Sequence, residues 1–203
     1  MEEAGSFKGE YFWQDLFFAQ KVHLANPVKH VDIGSRLDGF VAHVASFREI
    51  EVVDIRPITV SIPRVVFRQA DFMDSSKAVD EYCDSLSSLH ALEHFGLGRY
   101  GDKVDPEGHL KGLKNMARIL KADGVLYLSV PVGKARVEFN AHRIFDPVDL
   151  VRLAKDFGLQ LDSFASFHGG KIYEESDLSM KNLMKLADID YALGMFVFKK
   201  VDS

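Results

Sequence analysis

V-D-I-G-S-R-L-D-G-F, Val31 to Phe40, is a short apolar run broken by a glycine turn. It reads as a buried strand whose glycine lets the backbone turn where a side chain would obstruct it. A second apolar run, Ile50 to Ile55, is interrupted only by Glu51 and by Asp54 near its end. That acid follows the first strand at the ~20-residue distance at which nucleotide-binding α/β domains place a carboxylate on a ribose. A third run, Val65 to Phe67, leads to Asp71. Acids at successive strand ends point to one ligand edge and a cofactor site. The bland alternative is that they are solvated or cap helices.

Between the first two runs, Phe40, Val41, Val44 and Phe47 recur at helical spacing, so the chain opens β-α-β. Upstream, an N-terminal helical segment at about residues 9–26 carries Tyr11, Phe12, Leu16, Phe17 and Phe18, read as core packing over one sheet face. Phe72 to Tyr82 offers only a short helix, and Cys83 to Leu89 reads as a fourth strand. Leu110, Leu113, Met116, Ala117 and Leu120 mark one helix face, followed by Asp123-Gly124 and the strand Val125 to Val130. Leu150 to Phe157 forms another helix, begun at Asp146-Pro147 and stopped at Gly158. Strands at Leu159 to Phe167 and Ala192 to Lys199 follow, with no convincing helix between them. The alternation predicts a mostly parallel sheet with helices on both faces, and the last two strands are expected to pair antiparallel at one edge.

The 203 residues fit one domain, 1–203, and carry a net charge of −5 with no basic run, which disfavours nucleic acid as a partner. No apolar run reaches the ~18 residues of a membrane span. The opening M-E-E-A-G-S-F-K-G-E lacks the basic start and apolar core of a signal peptide, and one cysteine, Cys83, forms no internal disulfide, so a cytoplasmic location is expected.

Across its length the chain resembles class I S-adenosylmethionine-dependent methyltransferases. The residues that carry the resemblance are V-D-I-G-S at Val31 to Ser35, Asp54, Asp71, L-S-S-L-H-A-L-E-H-F at Leu86 to Phe95, and L-K-A-D-G-V-L-Y-L-S-V-P at Leu120 to Pro131. More narrowly, G-L-G-R-Y-G-D-K-V-D-P-E-G at Gly96 to Gly108 and V-E-F-N-A-H-R-I-F at Val137 to Phe145 resemble the methyltransferase-like Domain of Unknown Function 268 family. The resemblance implies a single Rossmann-like methyltransferase domain, α/β, with a mostly parallel seven-stranded sheet and an antiparallel edge strand. It implies S-adenosylmethionine as cofactor and a small-molecule acceptor. Because some members are associated with surface-polysaccharide biosynthesis, it also implies a sugar or sugar-nucleotide context.

By that resemblance Asp32, Gly34, Ser35, Arg36 and Gly39 lie in the cofactor loop, Asp54 holds the ribose hydroxyls and Asp71 the adenine amine. The family pattern D-x-G-x-G-x-G has glycine where this chain has Arg36 and Asp38. The departure fits a larger loop, a guanidinium clamp on the cofactor's carboxylate, or a pocket that excludes the cofactor.

H-A-L-E-H, His90 to His94, also matches the H-x-x-E-H spelling of zinc peptidases, which makes a zinc hydrolase on His90 and His94 the weaker alternative. The long helical scaffold of a peptidase is absent, so no metal is expected. For methyl transfer to an oxygen, His90 is the expected general base, with His94 the next candidate or a loop-ordering residue. Arg99, Tyr100 and Asp105 in the first loop, and Glu138, Asn140, His142 and Arg143 in the second, are candidate acceptor-binding residues. Each also has a plain reading as a loop brace. A non-catalytic binding or regulatory module is the competing reading, and exposed aromatics would support a homodimer. A nicotinamide dehydrogenase is disfavoured because G-x-G-x-x-G does not follow the first strand.

Overall fold

Strand β1, His30–Ile33, is buried at all four positions, as expected for a strand sandwiched between two helical layers. The computed structural model describes residues 9–138, 141–175 and 177–201. Before β1 comes helix α1, Glu10–Ala25. After it a single wide turn, Leu37–Val41, runs into the short α2, Ala42–Ala45. Then follow β2, Ile50–Asp54; β3, Val65–Gln69; and β4, Cys83–Leu89. Helix α3, Gly108–Ile119, leads into β5, Leu120–Val132, and a small hairpin of β6, Arg136–Glu138, and β7, His142–Ile144. The chain ends with α4, Pro147–Asp156; β8, Leu159–His168; β9, Lys171–Glu175; α5, Met180–Ala187; and β10, Ala192–Lys200.

The main sheet has the order β3-β2-β1-β4-β5-β10-β8-β9. From β3 to β5 all pairings are parallel; β10 is antiparallel to both β5 and β8. The expected antiparallel pairing of the last two core strands is present, but β10 lies inside the sheet and not at its edge. The edge is β9, paired antiparallel to β8, which brings the sheet to eight strands where seven were expected. Helix α5, also unexpected, joins β9 to β10 and buries Leu183.

Alternation along the strands divides the core. Leu126, Leu128, Phe196 and Phe198 face α3, α4 and α5, meeting Leu113, Met116, Leu150, Ala154 and Leu183. Tyr127, Met195 and Val197 face the other way, toward Phe18 and Val22 of α1 and Val44 of α2. Each fully buried side chain of this size contributes ~1.5–3 kcal/mol.

Two sequence-based expectations are corrected locally. The short helix within 72–82 is a single tight turn, Ser75–Lys77. Helix α1 buries Gln14, Asp15, Phe18, Ala19 and Val22, whereas Tyr11, Phe12 and Leu16 stay partly exposed. Its buried polar pair explains the difference: Ser129 Oγ donates to Gln14 Oε1 at 2.5 Å, and Gln14 Nε2 to Asp15 Oδ1 at 3.1 Å. Those bonds turn the polar side of the helix inward.

Candidate functional site

Beyond the carboxyl ends of β1 to β4 lies a cavity of about 270 Å³. Gly34, Asp54, Asp71 and His90 line it, one from each successive strand end, and its apolar walls include Ile33, Val53, Ile55 and Phe72. Gly34 has φ +75°, and a Cβ there would stand 2.9 Å from the Ala91 Cβ, so the turn can pass the end of β4 only with glycine.

Asp32 and Ser35 do not line this cavity. Asp32 is fully buried; it accepts from Ser35 Oγ at 2.6 Å, Ser35 N at 3.0 Å and Ser87 Oγ at 2.5 Å. Ser35 Oγ in turn accepts from Leu89 N at 3.0 Å. These bonds engage both side chains internally, as a brace that ties the β1 turn to β4. Burial pushes the Asp32 carboxyl up to about 6. Gly39 is also away from the cavity. A Cβ there would fall 2.1 Å from Asp15 Oδ2, so its glycine makes room for α1.

Arg36 and Asp38, the two departures from glycine, bind each other. Arg36 Nε and Nη2 donate to the Asp38 carboxylate at 3.0 and 2.7 Å, and the guanidinium lies 4.8 Å from the Tyr11 ring centre. Asp54 is likewise engaged, by a residue the sequence reading did not single out. It accepts from Arg56 N, Nε and Nη2 at 2.8, 3.0 and 2.6 Å, while the guanidinium stacks on Tyr100 at 4.6 Å. A cation two residues after a strand-end acid is a local signal that could have revealed it. Asp71 lines the cavity and accepts from Met73 N at 2.9 Å.

The histidines differ from expectation. His90, at φ +52°, places Nδ1 2.8 Å from Glu93 Oε1 and Nε2 3.3 Å from Glu10 Oε1, the latter off the line of a hydrogen bond. Burial opposes its charge, but the carboxylates of Glu10 and Glu93 carry its pKa up to about 9. The two flanking carboxylates favour the charged form of His90, in which the ring has no lone pair to offer as a general base. His94 is the opposite case. Burial lowers its pKa, and Nδ1 donates to Ala141 O at 2.6 Å, which leaves Nε2 as the accepting nitrogen. His94 lines the cavity with Tyr100. Glu10 reaches the site across the chain and is held by Tyr191 Oη at 2.7 Å, a contact without local sequence signal.

The H-x-x-E-H spelling is not carried on an α-helix, because Leu92–His94 forms one tight turn. Among the described residues, no three histidine, cysteine or acidic side chains converge as metal ligands.

In the two loops, Asp102 is the organiser: it accepts from Gly96 N, Gly98 N and Tyr100 N at 2.9, 3.1 and 3.1 Å. Arg99 Nε donates to Tyr100 Oη at 3.3 Å. Asp105 binds Lys111 Nζ and Glu107 N and does not line the cavity. Arg143, a candidate acceptor-binding residue, is buried and donates to the carbonyls of Glu93, Phe95 and Pro106 at 3.4, 2.5 and 3.5 Å. It clamps the hairpin to the first loop. Glu138 pairs with Arg136 at 3.0 Å, and His142 lies 3.8 Å from Glu138 and edge-on to His94. Asn140 lies outside the described residues. No described helix is long and apolar enough to cross a membrane.

The family model for "Caenorhabditis protein of unknown function, DUF268" matches residues 60–201. No curated protein matches the sequence. Among solved structures, the chain is similar to the Burkholderia thailandensis 1,6-didemethyltoxoflavin-N1-methyltransferase with bound 1,6-didemethyltoxoflavin and S-adenosylhomocysteine. The TM-score is 0.66 at 16% identity, covering 96% of this chain and 80% of that one. The [4+2]-cyclase SpnF gives a TM-score of 0.68 at 15% identity, covering 100% and 85%. The N-methyltransferase NodS from Bradyrhizobium japonicum WM9, in complex with S-adenosylhomocysteine, gives 0.62 at 11% identity, covering 96% and 89%. At these identities the likeness is one of fold.

Proposed function

The chain belongs to the DUF268 family, and from that premise we propose that it is an S-adenosylmethionine-dependent methyltransferase acting on an oxygen of a small polar acceptor, such as a sugar hydroxyl. One observation carries the reading: the cavity at four successive strand ends, with Gly34, Asp54 and Asp71 on its rim. Those residues fit the nucleoside half of the cofactor. Gly34 gives the backbone close approach, Asp54 offers a carboxylate to ribose hydroxyls and Asp71 one to an adenine amine, between apolar walls that suit a flat base. Arg36 is the group within the loop that suits the cofactor's carboxylate. When bound, the cofactor supplies a methyl group and retains the S–C electron pair as a neutral thioether. His94 Nε2 takes the acceptor's proton, and Tyr11 and Tyr100 wall the acceptor side.

Titration of the purified chain with S-adenosylhomocysteine and S-adenosylmethionine by calorimetry tests this. Saturable binding of both supports it, and no binding of either overturns it.

The second reading is a binding or regulatory module on the same fold. It draws on the two ion pairs, Arg36 with Asp38 and Arg56 with Asp54, which engage cofactor-side groups internally. Binding without turnover over a broad panel of hydroxyl acceptors would favour it. The [4+2]-cyclase SpnF, similar in fold, is named for a reaction other than methyl transfer.

A further inference from the structure

We infer that Glu93 is a positioning residue that gives the two histidines of the site different tasks, holding His90 as a fixed cation and readying His94 to take a proton. The inference rests on the methyl-transfer reading and deepens it. Glu93 is 1% exposed and sits in the turn between the two histidines. Its Oε1 lies 2.8 Å from His90 Nδ1 and 3.8 Å from His94 Nε2, and its Oε2 has no hydrogen-bond partner. A buried carboxylate with a spare oxygen costs stability unless positive charge offsets it, and such groups concentrate where function requires them.

The surroundings give the charge its direction. His90 is faced by Glu93 from its own turn and by Glu10 and the Tyr11 ring from α1. Two carboxylates around one imidazolium leave the cluster with excess negative charge, so a second cation beside it is favoured. His94 is the neighbour able to become one. It is faced by Glu93, Arg99, Tyr100 and His142, and Glu93 is the acid in that set. The Ala141 carbonyl keeps the proton on Nδ1, so the acceptor's proton can enter only at Nε2, on the side of the Glu93 carboxylate. The O–H bond breaks toward Nε2, the oxygen keeps the electron pair that bonds the methyl carbon, and the new imidazolium meets the Glu93 charge. Arg143 holds the turn itself through the Glu93 and Phe95 carbonyls.

The test is a pH titration of the histidine side chains by nitrogen-15 NMR on the full chain, without cofactor, for the wild type, Glu93→Gln and Glu93→Asp. In Glu93→Gln the midpoints of both His90 and His94 should fall, by about one pH unit or more. Glu93→Asp should recover part of both shifts. An unmoved His94 midpoint in a Glu93→Gln protein with an otherwise unchanged spectrum overturns the inference. If Glu93→Gln does not fold, Glu10→Gln replaces it: His90 should drop while His94 moves far less, and equal movement of both counts against Glu93. Failure of S-adenosylhomocysteine to bind would refute the methyl-transfer reading while leaving this result readable, because the titration needs no cofactor.

Discussion

Arg56 spans the Asp54 carboxylate, with Nε on one oxygen at 3.0 Å and Nη2 on the other at 2.6 Å. The carboxylate that would meet a ribose thus has a partner to exchange. Asp54→Ala should weaken S-adenosylhomocysteine binding by about 1.5–3 kcal/mol, the scale of a hydrogen bond to a charged group. Arg56→Ala should act in the opposite direction, by up to about 1 kcal/mol, because the guanidinium side of the pair is half exposed and screened by solvent. Calorimetry reads both; equal affinities in the wild type and Asp54→Ala would remove Asp54 from the site.

Arg36 is held by Asp38 in the same manner. Asp38→Ala should free the guanidinium and tighten cofactor binding, while Arg36→Ala should weaken it by about 1 kcal/mol. Tighter binding in Arg36→Ala than in the wild type would make Arg36 an obstruction.

His94→Ala should lower single-turnover methyl transfer by roughly 10²–10⁴ with cofactor affinity nearly unchanged, since a base acts mainly in the transition state. Retention of full turnover would place the base elsewhere.

His90 should make the fold sensitive to alkali. Its folded pKa, about 9, lies above the 6.5 of a free imidazole, so its stabilisation is complete below pH 6.5 and is lost as pH rises through 9. Urea unfolding from pH 6.5 to 10 should show stability falling by something on the order of 3 kcal/mol. In His90→Gln that slope should be absent, and a persisting slope would assign it to another group.

Gly39→Ala should destabilise the protein by about 1–3 kcal/mol, because the added Cβ would meet Asp15 Oδ2 at 2.1 Å. Asp15→Ala combined with Gly39→Ala should recover part of that loss in urea denaturation. Simple additivity of the two would mean that the side chains do not compete for one space.

The sequence by itself determined the succession of strands and helices in the parallel half. The alternation of apolar runs with helical spacing is a local property, so β1 to β5, the Asp146 cap of α4 and the cavity rim at Gly34, Asp54 and Asp71 were legible without a structure. Hairpin strand β9 and helix α5 were not. Lys171–Glu175 is mostly exposed and leaves no apolar alternation; α5 does carry apolar residues at helical spacing, Met180, Leu183, Met184 and Ala187, but it is eight residues long and fully buries only Leu183, so the signal is short. Only the tertiary structure decided what each polar side chain does. Arg143 reads as an acceptor-binding residue until three carbonyls from distant turns are seen on it, and His90 reads as a base until Glu10 arrives from α1. The physical reason is that a titratable group's role is set by the charges and carbonyls around it after folding, and those come from residues far away in the chain.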